Sequence, residues 1–385
     1  YCFIFLFKQN TAYYIVFGYW SSAVCSSDLS QSQVNSFRTS YPECSLILGD
    51  VIICGPAITN LNGLSIITNI QGSLIIECNP LLTSLAGLDN LESVAEDVFI
   101  EGNPLLDNIQ DLNNLTYIGG NLITTNNPML LNFLGLEGIT HIGGKLWIED
   151  NVALLSLHGL DNLIRTGGLI RISANQHLQD LDGLSSLEEI GGSLVIGGTG
   201  HLGSIGNPSL ANIAGLNHLV TIEGSLQVEN NTSLASLAGL DNILPGSISE
   251  LSVYGNSLLS HCEVSSICGY LASPGGTTVI DDNAPGCNSI AEVQEACLII
   301  AAPSAVSSPS LKIYPNPFSE RIRIGLTGLK GEGTIQIINF RGVVISEGQI
   351  QHPGCEMVLT NLPVGVYMVR FLSPEGSGNA MIFKQ

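Results

Sequence analysis

The sequence predicts a chain dominated by β structure: a parallel β solenoid of 24-residue coils with cysteine-bearing ends, then a small C-terminal antiparallel β-sandwich. Three observations carry that expectation. The Leu of a Gly-Leu or Asp-Leu pair recurs at Leu64, Leu88, Leu112, Leu136, Leu160 and Leu184, each 24 residues after the last, and again at Leu216 and Leu240. Most periods hold one short alternating apolar run, a strand signal, beside a Gly turn and an Asn corner that leave no room for a long helix. From residue 311 onward the period stops, and runs such as RIRIGL and TIQIINF lie between Gly, Pro and Asn turns, the pattern of a small sandwich.

Composition narrows the function classes. The length of 385 residues suits two to three folding units. With 45% hydrophobic residues, a mean hydropathy of +0.34 and only 12% charged residues, the chain is neither an acidic disordered polymer nor a helical protein coated with Lys and Glu. Twelve Lys and Arg against 33 Asp and Glu give a net charge of −21, which excludes a general binder of nucleic acid or anionic membrane. Between Cys44 and Ile300 stand 26 acidic residues and three basic ones, Lys145, Arg165 and Arg171; after Ala301 basic residues slightly outnumber acidic ones. That shift marks a boundary, and AAPSAVSSPS at 301–310 reads as the linker across it.

At the front, YCFIFLF is too short to span a bilayer, no basic segment precedes it, and WSSAVCSSDL (Trp20–Leu29) resembles the conceptual translation of a sequencing-adapter oligonucleotide, departing at Ala23. Residues 1–29, with Cys2 and Cys25, are expected to be a non-native leader or sequencing artefact, and no transmembrane segment is expected. Residues 30–63 should form the N-terminal cap and first coil, and 64–261 the repeat solenoid. There, pairs such as Leu74 with Ile76 and Leu146 with Ile148 face inward as strand cores. The column Asn79, Asn103, Asn127, Asn151, Asn175, Asn207, Asn231 is expected to bury side-chain amides that hydrogen-bond neighbouring coils. Gly72, Gly120, Gly144, Gly168, Gly192 and Gly224 are expected to need unusual dihedrals. The surplus of eight residues before Leu216 falls in GGTGHLGSIG, 197–206, read as a surface loop or a tolerated bulge.

Residues flanking each inward pair must face outward. The middle outward row is Ile75, Phe99, Ile123, Trp147, Arg171, Val195, Gln227; beside it run Ser73, Asp97, Asn121, Lys145, Leu169, Ser193, Ser225 on one side and Glu77, Glu101, Thr125, Glu149, Ser173, Gly197, Glu229 on the other. Read functionally, Phe99 and Trp147, with Ile75, Ile123 and Arg171, offer a platform for sugar rings or a partner protein, while Glu77, Glu101 and Glu149 accept hydrogen bonds or hold Ca²⁺. Read plainly, β-formers fill a sheet face and Glu keeps it soluble. A third reading pairs Glu77 with Glu101 for hydrolysis, since glycosidase carboxylates lie ~5 to 9 Å apart. No catalytic motif occurs in its required context, the seven His are scattered at non-repeating phases, and no cofactor is assigned.

The 24-residue pattern resembles the receptor L-domain family, a leucine-rich-repeat-like right-handed parallel β solenoid found among bacterial surface proteins, over about residues 44–297. The resemblance implies a fold more firmly than a function, because such domains bind many ligands. It also implies disulfide-bearing caps. Cys44 and Cys54 flank the first coil; for Cys262, Cys268, Cys287 and Cys297, in the cap at 262–300, the expected pairing among three connectivities is Cys262 with Cys287 and Cys268 with Cys297. A zinc site using His261 is the alternative, although no tight CxxC pair is present. Cys78 and Cys355 remain as small buried residues.

Residues 311–385 resemble the C-terminal sorting domain of the type IX secretion system. The landmarks are Tyr314, Pro315, Asn316, Pro317 and Phe318 in YPNPF, whose prolines are expected to fix an extended strand, the N-x-x-G turn at Asn339 and Gly342, Gly365 and Tyr367 in LPVGVY, and Lys384. That resemblance implies recognition by the type IX translocon and export to the medium or the outer-membrane surface of a Bacteroidota-type bacterium. The whole reads as a non-catalytic recognition or adhesion protein with an unidentified extracellular glycan or protein ligand. A carbohydrate-active enzyme working on the sheet face, or a ligand-free spacer, is the alternative.

Overall fold

The computed structural model describes residues 29–200, 203–204, 206–301, 310–327, 333–339, 343–350, 354–373 and 376–385, so the expected leader up to residue 28, Gly342 and linker residues 302–309 lie outside it. The chain divides between Cys297 and Leu298 into two compact units.

The alternating runs of the first unit become a ten-stranded parallel sheet, from Val51–Ile53 to Thr278–Asp281. A second parallel sheet holds eight two-residue strands, from Leu46–Ile47 to Thr221–Ile222. Each residue pairs with its equivalent one coil on: Leu74 with Val98, Ile75 with Phe99, Trp147 with Arg171. Within a coil, Leu74 and Ile76 point inward from the long strand, and Leu82, Leu85, Leu88, Leu91 and Val94 follow at three-residue spacing or as the short strand; all are fully buried. One coil has no partner layer for these side chains, so the core exists only because identical positions stack.

The expected asparagine column is a continuous ladder. Asn103 donates from its backbone N (3.1 Å) and its Nδ2 (3.2 Å) to Asn127 Oδ1, and its Nδ2 also reaches Ile76 O (2.9 Å) in the preceding coil. The same bonds repeat from Asn79 to Asn231 and run on through Asn256 to Asn283. To aim each amide inward, the chain turns sharply just before it: Cys78, Asn126, Asp150, Ala174 and Asn230 all have positive φ. The surplus residues leave the coil at this corner, between Gly198 and Asn207, and include the antiparallel pair Thr199–Gly200 with Gly203–Ser204. The ladder bridges them, with Asn175 N donating to Asn207 Oδ1 at 3.2 Å.

The arc ahead of the short strand closes in two ways, and one side chain separates them. In four coils the Gly before the repeat Leu has positive φ (Gly87, Gly135, Gly159, Gly239), and its N–H donates to an acidic residue two positions on: Asp89, Glu137, Asp161 or Asp241. In four others a 3₁₀ turn forms at Asn62–Leu64, Gln110–Leu112, Asp182–Leu184 and Ala214–Leu216. There Asn60, Asn108, Asp180 or Asn212 accepts from the first N–H of the turn, and Ser or Asn replaces the acid.

The glycines at the opposite corner correct an expectation. Gly72, Gly120, Gly144, Gly168, Gly192 and Gly224 do not adopt positive φ. They are needed because coils touch there: a Cβ on Gly144 would strike Asn121 Oδ1 and the Gly120 carbonyl, and one on Gly224 would lie 2.6 Å from Ser193 Oγ.

Both ends of the stack are closed. Helix α1 (Gln31–Ser40), capped by Ser30 and Gln33, places Val34 and Phe37 over the first coil. At the other end α2 (Ser265–Ala272) and α3 (Ile290–Ala301) are fastened by Cys262–Cys287 and Cys268–Cys297, each with Cα atoms 5.6 Å apart. With all four sulfurs in disulfides, none is left to ligate zinc near His261. Cys44 and Cys54 are also disulfide-bonded.

The second unit is a sandwich of two antiparallel sheets. The first contains Ser310–Tyr314, Arg321–Thr327 and Gly354–Val358; the second contains Val344–Ile350, Gly333–Ile338, Gly365–Ser373 and Gly376–Lys384. Phe318, Ile322, Ile324, Ile335, Ile337, Val369, Phe371 and Ile382 fill the space between them.

Asn127→Ala should destabilise the full-length protein by about 3 kcal/mol in urea unfolding, because it orphans the buried Asn103 N–H and removes the amide donor to the Ile100 and Thr125 carbonyls. Asn114→Ala, which removes one exposed bond to Asp89 O, should cost under about 1 kcal/mol.

Candidate functional site

The coil register sets out the middle outward row without interruption. Ile75, Phe99, Ile123, Trp147, Arg171, Val195 and Gln227 are in-register neighbours, continued by Ser252 and Val279, which the 24-residue period does not reach. Apart from Val195, which is buried, and Val279, which is exposed, these side chains are half-buried.

Trp147 is the fixed point of the row. Its indole N–H donates to Glu149 Oε2 at 2.6 Å. Arg171, from the next coil, brings Nε to 3.6 Å from the same oxygen and lays its guanidinium 5.5 Å from the centre of the Trp147 ring. Three side chains on two strands thus hold one another, and an indole so clamped gives up little rotamer freedom when something docks on it.

Glu149 therefore departs from expectation. It is 4% exposed and engaged by Trp147 and Arg171, so it does not stand in an open carboxylate stripe. Glu229 accepts from Ser252 Oγ at 2.5 Å. Among the described residues no three His, Cys, Asp or Glu side chains are grouped to hold a metal ion. Glu77 and Glu101 are nevertheless in-register neighbours. Burial pushes the Glu77 carboxyl up, and burial, then the charges of Glu77 and Glu101, push up the half-buried Cys78 thiol.

The row beginning at Ser73 is a second structural ladder. Asp50 Oδ1 accepts from Ser73 N (2.8 Å), Asp97 Oδ1 from Asn121 N (2.6 Å), and Asn121 Oδ1 from Lys145 N (2.7 Å). Sequence patterning also passed over a ridge beside the asparagine corner, where Leu81, Leu105 and Met129, with Leu131 and Leu155, remain exposed. Its signal was the apolar residue two places after three successive ladder asparagines.

In the second unit the motif residues are brought together. The strand ends at Tyr314 and the prolines lie in a bend, not in an extended strand. Asn316 stitches the bend to the last strand: Nδ2 donates to Met381 O (2.9 Å) and Oδ1 accepts from Phe383 N (2.8 Å). Phe318 is buried in the core, and Lys384, only 8% exposed, sits 5.2 Å from its ring while Nζ donates to Leu359 O at 3.1 Å. Tyr367 Oη donates to Pro363 O at 2.7 Å, and Gly365 begins that strand. Asn339 Oδ1 accepts from Val343 N at 3.0 Å. Tyr314, Pro315 and Pro317 stay at the surface.

Residues 312–384 match the family described as secretion system C-terminal sorting domain. No curated protein matches the chain. The sorting domain marks a protein that is secreted or attached at the outer-membrane surface through type IX secretion. No helix among the described residues is long and apolar enough to cross a membrane.

Deleting residues 311–385 should strand the protein in the periplasm, read by immunoblot of cell fractions; unchanged surface display would exclude an export role for the tail. A raised Glu77 pKa means that ionisation opposes folding, so the stability of the protonated form is present below the ordinary carboxylate range and lost as pH rises through the folded pKa. Glu77→Gln should therefore melt above the native protein at about pH 7 and alongside it at about pH 3.

Proposed function

We propose that this exported protein is a non-catalytic recognition module of the cell surface, binding an extracellular ligand on the face of the long-strand sheet. The observation that carries the reading is the Trp147 clamp: an aromatic ring held by Glu149 and Arg171 in the middle of an in-register outward row. A sheet that merely had to stay soluble gains nothing from an indole fixed by an ion pair, whereas a binding platform gains preorganisation. The resemblance to receptor L domains supports the same reading, with adhesion as the biological setting.

One observation favours a second reading. Glu77 and Glu101 are in-register neighbours and burial pushes the Glu77 carboxyl up, the direction that a general acid in glycoside hydrolysis needs.

The test is a glycan and protein binding screen on the secreted protein, repeated with Trp147→Ala combined with Phe99→Ala. The double variant should lose binding by at least about tenfold while still unfolding in one cooperative transition, at a lowered melting temperature because Glu149 loses its indole donor. Binding untouched by the double variant would remove the platform. Polysaccharide cleavage abolished by Glu77→Gln would establish the hydrolase instead.

A further inference from the structure

In the second unit, the outer face of the four-stranded sheet is divided in polarity. A sandwich strand alternates core-facing and solvent-facing residues, and the solvent-facing set is ordinarily polar. One half of this face obeys that rule: Thr334, Gln336, Glu347, Gln349 and Arg370 are cross-strand neighbours there, with Leu372 the apolar residue among them. The other half does not. Val366 stands opposite Phe383, Met368 stands between Met381 and Ile338, and Ile338 faces Val344, so six apolar side chains from all four strands share one patch. Val344 and Val366 are each 42% exposed, Phe383 45% and Met381 59%. None of the six belongs to the cluster that fills the space between the two sheets.

The sorting-domain landmarks hold this patch in place. Gly365 opens the strand that carries Val366 and Met368, and Tyr367 between them is buried on the opposite side with its Oη on the Pro363 carbonyl. Met381 and Phe383 alternate with Ile382 and Lys384, which are buried, Lys384 beside the Phe318 ring. Asn316 bonds the backbone of both patch residues, at Met381 O and Phe383 N, and so brings the exposed Pro315 and Pro317 alongside the strand that carries them. The inward residues of the motif thus fix the strands. What those strands turn outward is apolar.

We propose that this apolar half-face, bordered by the bend at Pro315 and Pro317, is where a protein component of the type IX translocon takes hold of the folded tail through an apolar surface of its own. The family match supplies the partner, since a chain exported by that route must meet the machinery. The geometry supplies the place. A contiguous patch on the order of a few hundred Å² exceeds scattered surface apolar residues, yet falls well below the ~800 Å² per partner of a stable complex. That size suits a handover, in which the exported chain binds and is then let go, more than a permanent subunit contact. The proposal concerns the tail alone and does not depend on what the solenoid recognises.

The test uses the full chain in a bacterium that has type IX secretion, with export read by immunoblot of the periplasmic, surface and medium fractions. Met381→Ser combined with Phe383→Ser should cut the exported fraction at least about tenfold and leave the chain in the periplasm. Val358→Ser, which truncates a side chain 58% exposed on the other sheet, should be exported like the native protein. Native-level export of the double variant, or an equal loss with Val358→Ser, would overturn the proposal. To separate lost docking from lost folding, a photo-crosslinking residue is placed singly at Met381 and at Val358 of the otherwise native chain, and adducts are identified by mass spectrometry. An adduct with a translocon component from position 381 and not from 358 supports the docking face. An adduct with a second copy of the chain, persisting in a strain without the translocon, would assign the patch to self-association and overturn it. So would the absence of any translocon adduct from 381, or the same adduct from 358.

Discussion

Every coil of the solenoid is held to the next through one buried amide. An asparagine Oδ1 accepts both the backbone N–H and the side-chain N–H of the asparagine before it, while its own Nδ2 reaches a carbonyl of the coil behind. These groups are fully buried from Asn79 to Asn256, so water cannot replace a missing partner. A one-residue slip between coils would break several such bonds at once and turn the Leu columns toward solvent. The register that places Arg171 beside Trp147 is therefore fixed by asparagines on the far side of a corner from them.

Much of this was legible because the ladder and the core columns keep one period. The Asn column could be followed to Asn231, and it was lost where the spacing stretched to 25 residues at Asn256 and 27 at Asn283. Other features were hidden for physical reasons. Whether a corner glycine is needed for its dihedral or for space depends on how closely the coils approach, and at Gly144 and Gly224 it is space. Whether a strand glutamate is open or engaged depends on its neighbour one coil away: Glu149 meets Trp147 and Arg171, while Glu77 meets Glu101. A single-sequence pattern shows which face a residue is on and not what stands next to it.

The same distinction applies to the export tail. YPNPF and the final Lys look like an address read by other proteins, but half of the motif holds the sandwich together. Asn316 and Phe318 join the bend to the last strand, and Lys384 is buried against the Phe318 ring with its ammonium on the Leu359 carbonyl. Tyr314, Pro315 and Pro317 stay exposed, so the bend is both a structural joint and a surface that a translocon can meet.

The acidity of the chain has a structural share that bears on its ligand. Asp89, Glu137, Asp161 and Asp241 accept the glycine N–H in one of the two ways the arc closes. Asp180 caps a 3₁₀ turn of the other kind, and Asp50 and Asp97 belong to the ladder at the glycine corner. Carboxylates suit these places because they accept backbone N–H groups strongly without filling space. Most positions of a coil call for acceptors rather than cations, since their exposed backbone groups are N–H donors. The acids therefore need no ligand to explain them, and Arg171 likewise has a structural duty, as the cation beside the buried Glu149 and the Trp147 ring.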